Sequence, residues 1–233
     1  MKLLRDLCAS FAYFSILPVP QSGERPGKGA IVWLPLVGGT IGLIAGLAGA
    51  GIFKLSAFWS YPALIATWIL CIALSGAIHV DGFLDCCDGL FAMTSPQRRL
   101  EIMHDPRHGT YALVGMMLLG FGWFGALNFA APVPALPMLL AFSGIASRAF
   151  AAAAARVLPW PALVIIAPMI AYYQGQLWKP LCALGAGALA ALLTGLFAWR
   201  RLGGKLNGDC YGAIAVLSEV TMLYALGFLK IYR

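Results

Sequence analysis

Charge is what this chain has least of. Asp, Glu, Lys and Arg make up 11% of its 233 residues, against about 25% in ordinary soluble domains. Hydrophobic residues reach 61% and the mean hydropathy is +0.84. No long stretch has the polar composition of a water-soluble domain, so residues 1–233 read as one integral-membrane domain. Paired cysteines are missing as well. Cys8, Cys71, Cys86, Cys87, Cys182 and Cys210 form no CxxC or CxxxC motif, which leaves both a disulfide framework and a zinc site unsupported. GxSxG, Walker A and HExxH are absent too, and with them the commonest signatures of serine hydrolases, P-loop NTPases and zinc proteases, and no GxGxxG accompanies the polar residues. Lys and Arg outnumber Asp and Glu 16 to 9. They form no stripe interleaved with aromatics, so no nucleic acid is expected as partner. A lipid bilayer with anionic headgroups suits the surplus.

What is there is apolar runs bracketed by charge. At about 20 residues per span, the sequence predicts an all-α fold, a polytopic transmembrane helical bundle. It has about seven spans, near 30–53, 57–79, 110–130, 133–154, 157–173, 180–199 and 211–229. The opening "MKLLRDLCASFAYFSILPVP" is interrupted by Arg5 and Asp6 and lacks a signal-peptidase pattern, so it reads as an interfacial helix ended by Pro18 and Pro20. Seven spans leave eleven Lys and Arg on one side, Arg25 among them, and four on the other, Arg233 among them. The richer side, with loops 80–109 and 200–210, is expected in the cytoplasm.

Acidic residues are scarce yet clustered. Five of the nine, Asp81, Asp85, Asp88, Glu101 and Asp105, fall between residues 81 and 105. Asp81, Asp85 and Asp88 in "IHVDGFLDCCDGLF" are spaced i, i+4, i+7, within about 60° on one helical face. Like charges so placed repel, and a divalent cation is the economical partner: carboxylate oxygens suit Mg²⁺, Mn²⁺ or Ca²⁺. The bland alternative is a solvated Asp-Gly loop that merely stops the second span.

Further along, Ser95 and Pro96 are the N-cap and first residue of a short helix that Gly109 can end. Arg98, Glu101 and Asp105 would share one of its faces, leaving Arg99 and Arg107 to meet phosphate oxygens. The alternative is a surface network of these arginines with Glu101 and Asp105. His79, His104 and His108 have no partner at ligand spacing, and His79 points away from the Asp81 face. The second polar loop, "RRLGGKLNGDCYGA", brings Asn207 and Asp209 to the same side of the membrane. Arg148 and Glu219 lie within spans, where such groups pair with one another or line a cavity. Together these parts indicate a metal-dependent site for a phosphate-bearing substrate, with phosphoryl transfer the fitting chemistry.

"HVDGFLDCCDGLF" followed by "RRLEIMHDPRHGTY" resembles the membrane-bound cobalamin synthases, the adenosylcobinamide-GDP ribazoletransferases. His79, Asp81, Gly82, Asp85, Asp88 and Gly89 match the first part of that family's pattern. Arg98, Leu100, Glu101, Ile102, Met103, Asp105, Arg107, Gly109 and Thr110 match the second. Agreement extends in outline to "FSILPVP", "LPLVGGTIG" and "NGDCYGA". The chain departs from the pattern at Asn207, where the family usually has Thr, and at Val216, where it usually has Glu; an acidic loop near "ARVLPWPAL" is missing.

The resemblance implies a Mg-dependent transferase of substituted phosphate groups in the prokaryotic inner membrane. It would join adenosylcobinamide-GDP to α-ribazole, or its 5′-phosphate, and release GMP. Asp81, Asp85 and Asp88 would hold Mg²⁺, with Mn²⁺ the alternative, and one of them or Asp105 would take the proton of the attacking hydroxyl. Arg98, Arg99, Glu101, Arg107, Asn207 and Asp209 would bind substrate. Other enzymes of cobalamin synthesis are candidate partners. Two other readings stay open: a CDP-alcohol phosphotransferase, whose pattern Asp85, Asp88, Gly89 and Ala92 fit in part, and a membrane ion or metal transporter.

Overall fold

The computed structural model describes residues 2–20, 27–56, 59–130, 133–172 and 176–231. Arg25 and Arg233 lie outside them. Among the described residues the chain forms eleven α-helices and no strand. In order these are α1 (Lys2–Phe14), α2 (Lys28–Ile31), α3 (Leu34–Leu55), α4 (Ser60–Leu74), α5 (Ile78–Phe91) and α6 (Pro96–Met103). They continue with α7 (Thr110–Ala130), α8 (Leu136–Ala154), α9 (Trp160–Tyr172), α10 (Trp178–Arg201) and α11 (Gly208–Ile231).

Among the described residues, five helices are long and apolar enough to cross a membrane: α3, α7, α8 with the 3₁₀ turn before it, α10 and α11. The all-helical polytopic bundle is as expected, but two of the seven anticipated spans differ. The segment expected to run unbroken from 57 to 79 stops at Leu74, and α5 leaves at 88° to α4; counted together they make a sixth, broken span. The break is a built helix end. Gly76 and Ala77 take φ of 60° and 59°. Gly76 N–H donates to Ala73 O and Ala77 N–H to Ile72 O, both at 2.9 Å, the paired bonds that close a helix when the following residue is left-handed. The other short element is α9, 13 residues where about 20 are needed, in a segment that carries Pro159, Pro161 and Pro168.

Small residues set the packing, as they do where lipid removes the hydrophobic drive between helices. Helices α3 and α8 meet at Gly38 and Gly144, where a Cβ on either glycine would run into the other's backbone. Leu64, Leu127, Leu136, Leu140, Phe142 and Leu223 fill the centre of the bundle. Helix α1 is joined to it through the backbone after its end, where Ile16 N–H donates to Leu74 O at 2.9 Å, and through Phe14, whose ring stacks on His79 at 6.0 Å.

Candidate active site

Helices α5 and α11 approach until glycine alone fits between them. A Cβ on Gly82 would lie 2.8 Å from Asp209 Cα, and one on Gly212 would lie 3.1 Å from His79 O. The contact sets the first turn of α11, with Asp209, against the acidic face of α5. The two polar loops expected to share a membrane face thus lie side by side. A second tie joins them: Arg99 donates to Arg201 O at 2.9 Å, and Arg201 donates to Leu90 O at 2.8 Å.

Asp81 is exposed and Asp85 half-buried. His108 stands between them, its Nε2 3.8 Å from Asp81 Oδ1 and its Nδ1 3.9 Å from Asp85 Oδ1. Among the described residues neither carboxylate has a Lys or Arg within 4.0 Å. Two carboxylates without a lysine or arginine partner, on adjacent turns of one helix, are a donor set of the right chemistry for a hard divalent ion. No group of three or more His, Cys, Asp or Glu among the described residues is placed to hold a metal ion. A site of one or two carboxylates suits an ion such as Mg²⁺ only where water and substrate phosphate complete its shell.

Asp88 points elsewhere. Its side chain is buried, Oδ2 accepts from Gly109 N–H at 2.6 Å, and Oδ1 accepts from Ala112 N–H at 2.9 Å. The carboxylate of α5 thus closes the amino end of α7.

Helix α6 starts as the sequence predicts, with Ser95 Oγ accepting from Arg98 N–H at 3.3 Å. It ends earlier than expected, at Met103, so Asp105 lies in the loop before α7 and does not share a helical face with Arg98 and Glu101. The arginines are mostly engaged. Arg98 pairs with Glu101 at 2.6 Å. Arg107 chelates Asp105 through Nε at 2.9 Å and a terminal nitrogen at 2.8 Å, and its own N–H adds a third bond at 3.0 Å. These bonds hold the Asp105 carboxyl down at about 2 and push the Arg107 guanidinium up. Arg99, expected to be free for phosphate, is buried and donates to Ala92 O at 3.1 Å as well as to Arg201 O. Burial and the adjacent Arg201 guanidinium lower its pKa. Its geometry is that of a cation closing the carboxyl end of α5.

Asn207 serves as N-cap of α11, accepting from Cys210 N–H at 3.1 Å and donating to Asp209 at 2.8 Å. Thr, the family's usual residue there, is also a helix N-cap former, so the departure keeps the local job. Within the bundle Arg148 and Glu219 pair directly, both buried, with Ser147 Oγ 2.9 Å from the same guanidinium nitrogen. Behind the acidic face of α5 a groove of about 520 Å³ opens toward α7, α10 and α11, lined by Phe83, Cys87, Leu90, Tyr111, Leu193 and Phe197 among others. No lysine, arginine or histidine lines it.

Sequence reasoning missed His108 as the residue between Asp81 and Asp85, because loop residues have no periodicity to place them. It also missed the role of Gly109, whose place before an apolar run with no capping side chain of its own was the available signal.

A family model described as cobalamin-5-phosphate synthase matches residues 6–227. The chain belongs to the cobalamin-5-phosphate synthase family. It is thereby a transferase of cobalamin biosynthesis built on membrane helices. Relatives named adenosylcobinamide-GDP ribazoletransferase include one from Deinococcus radiodurans, 32% identical over 96% of this chain and 87% of its own length. Another, from Azorhizobium caulinodans, is 31% identical over 95% of each chain. A third, from Synechococcus elongatus, is 30% identical over 94% of each. No solved structure matches the chain.

Proposed function

We propose that this transferase joins adenosylcobinamide-GDP to α-ribazole, or to its 5′-phosphate, at the face shared by α5 and α11. The observation that carries the reading is the pair Asp81 and Asp85, free of lysine and arginine, held around His108 and beside Asp209. In the reaction the acceptor hydroxyl of the ribazole attacks the phosphorus next to the cobinamide. A P–O bond forms there, the bond to the departing phosphate breaks, GMP leaves, and the hydroxyl proton passes to a basic group of the site. Mg²⁺, or Mn²⁺ in its place, would be held by Asp81 and Asp85 and would neutralise charge on the diphosphate.

The chain's own residues do the rest. The crossing of α5 and α11 at Gly82 keeps the acidic face opposite Asp209. Arg107, on the exposed loop before α7, has guanidinium nitrogen to spare beyond its Asp105 bonds and can meet the departing phosphate. Asp105 is a poor proton acceptor, since Arg107 keeps it ionised far below neutral pH. With α4–α5 and α9 each counted as one crossing, the Lys and Arg bias of the loops supports a site that faces the cytoplasm from the inner membrane.

The test is a transferase assay on protein in liposomes, supplied with adenosylcobinamide-GDP, α-ribazole and Mg²⁺. Formation of a cobalamin with release of GMP, abolished by EDTA and restored by Mg²⁺, is the expected result. CMP release from a CDP-activated lipid without any corrinoid product would instead assign the protein to CDP-alcohol phosphotransfer. Metal uptake into proteoliposomes without transferase activity would favour a transporter.

A further inference from the structure

We infer that Asp88 is a positioning residue that acts through the loop before α7, and not a ligand of the metal. The inference rests on the reading of Asp81 and Asp85 as metal-holding groups, because it separates the third aspartate of the motif from the first two.

Both Asp88 oxygens are committed to backbone amides, Gly109 N–H at 2.6 Å and Ala112 N–H at 2.9 Å. These amides belong to the open end of α7, where donors lack helical partners and the helix dipole favours negative charge. Bonds from such donors to a carboxylate are charge-assisted and short. The side chain is 8% exposed. Mg²⁺ keeps several of its waters, and a carboxylate so enclosed leaves no room for them, whereas exposed Asp81 does. A Cβ on Gly109 would stand 2.8 Å from Asp88 Oδ1, so glycine is what lets the loop come this close.

The consequence falls on the neighbouring residue. His108 immediately precedes the amide that Asp88 holds, and its two ring nitrogens lie 3.8 and 3.9 Å from Asp81 and Asp85. Clamping Gly109 fixes the point from which that imidazole reaches between the two carboxylates. Asp88 thus ties the "DGFLDCCDG" helix to the "HDPRHGT" loop and sets the width of the cleft between them.

The experiment compares Asp88→Asn, Asp85→Asn and Gly109→Ala in liposomes, with two readouts. One is transferase rate titrated with Mg²⁺. The other is backbone hydrogen exchange of the segment 104–112, which needs no activity. For Asp88→Asn the expected result is a fall in kcat of tenfold or more, half-activating Mg²⁺ within twofold of the parent, and faster exchange at 109–112. Asp85→Asn is expected to raise half-activating Mg²⁺ at least tenfold and to leave that exchange unchanged. Gly109→Ala keeps all three carboxylates, so it stands in if Asp88→Asn fails to fold, and is expected to copy its pattern. An Asp88→Asn or Gly109→Ala protein that needs tenfold more Mg²⁺ while its 109–112 exchange stays at the parent's rate would overturn the inference. If Asp85→Asn leaves Mg²⁺ demand untouched while exchange still rises in Asp88→Asn, the metal assignment fails and the positioning role stands.

Discussion

Gly109 N–H donates to Asp88 Oδ2 across 21 residues of sequence, at 2.6 Å. This one bond joins the two halves of the family's motif, the aspartate helix and the loop that follows α6. A run of three aspartates at i, i+4 and i+7 therefore holds two kinds of group: Asp81 and Asp85, open to the cleft, and Asp88, enclosed at the start of α7.

The first consequence concerns Asp85. Asp85→Asn keeps the shape and removes the charge of a half-buried carboxylate whose near neighbour is His108 and not a lysine or arginine. If Asp85 holds the metal that neutralises transition-state charge, losing it costs about 10²–10³ in kcat. Helical content and elution in detergent are expected to match the parent, while GMP release falls by that factor. Activity within threefold of the parent would remove Asp85 from the chemistry.

Gly82→Ala tests the crossing. The added methyl would meet the Asp209 backbone, which cannot swing aside as a side chain can. Overpacking of this kind typically costs about 1–3 kcal/mol. The thermal midpoint is expected to drop and turnover to fall with it, because Asp209 is pushed from the acidic face. Gly51→Ala is the control, since a Cβ there meets nothing within 4 Å; it is expected to leave both readouts at the parent's values.

The helical architecture was open to sequence reading because lipid demands long apolar helices, and charge marks where each one stops. Asp81, Asp85 and Asp88 were placed on one helix by spacing alone, and the structure agrees. What spacing could not supply was partnership. Asp88 differs from Asp85 only in what α7 brings to it, and α7 begins 22 residues later. Arg99 looked free for phosphate because its partners are carbonyl oxygens, which every residue has and no motif reveals. The break after Leu74 was hidden for a related reason. Gly76 advertises a left-handed turn, but Ala77 adopts one too, and only the packing of α5 against α11 makes that strain worth holding.

Arg107 separates binding from stability. Its ion pair with Asp105 is highly exposed, with side chains 87% and 34% accessible, and such pairs add little to folding. The sign of the pH effect follows from the direction of the shift. Asp105 is held at about 2, below its ordinary value near 3.9, so its contribution is present above 3.9 and lost as pH falls toward 2. Between pH 5 and 8, Arg107→Gln is expected to melt at the parent's temperature with no pH trend of its own. If the guanidinium meets a phosphate, a charged hydrogen bond of about 1.5–3 kcal/mol raises the KM for adenosylcobinamide-GDP about 10–100-fold on its removal. An unchanged KM would confine Arg107 to the loop.

Arg148 and Glu219 make the opposite case, a pair buried within the bundle whose value lies in mutual dependence. Each is under 8% exposed, and Arg148 Nε has no hydrogen-bond partner among the described residues. Gly38 makes room for the arginine, since a Cβ there would stand 2.7 Å from Arg148 Cδ. Removing one member leaves an uncompensated charge where water is scarce, at a cost of about 3–5 kcal/mol. Arg148→Met or Glu219→Leu alone is therefore expected to lower the melting temperature sharply. The double variant removes both charges and keeps most of the volume, so it is expected to melt above either single one. The pair joins α8 to α11, and α11 carries Asp209 to the site, so the singles are expected to lose activity with stability while the double variant regains part of both. Single variants as stable as the parent would mean that water reaches this position and relieves the lone charge.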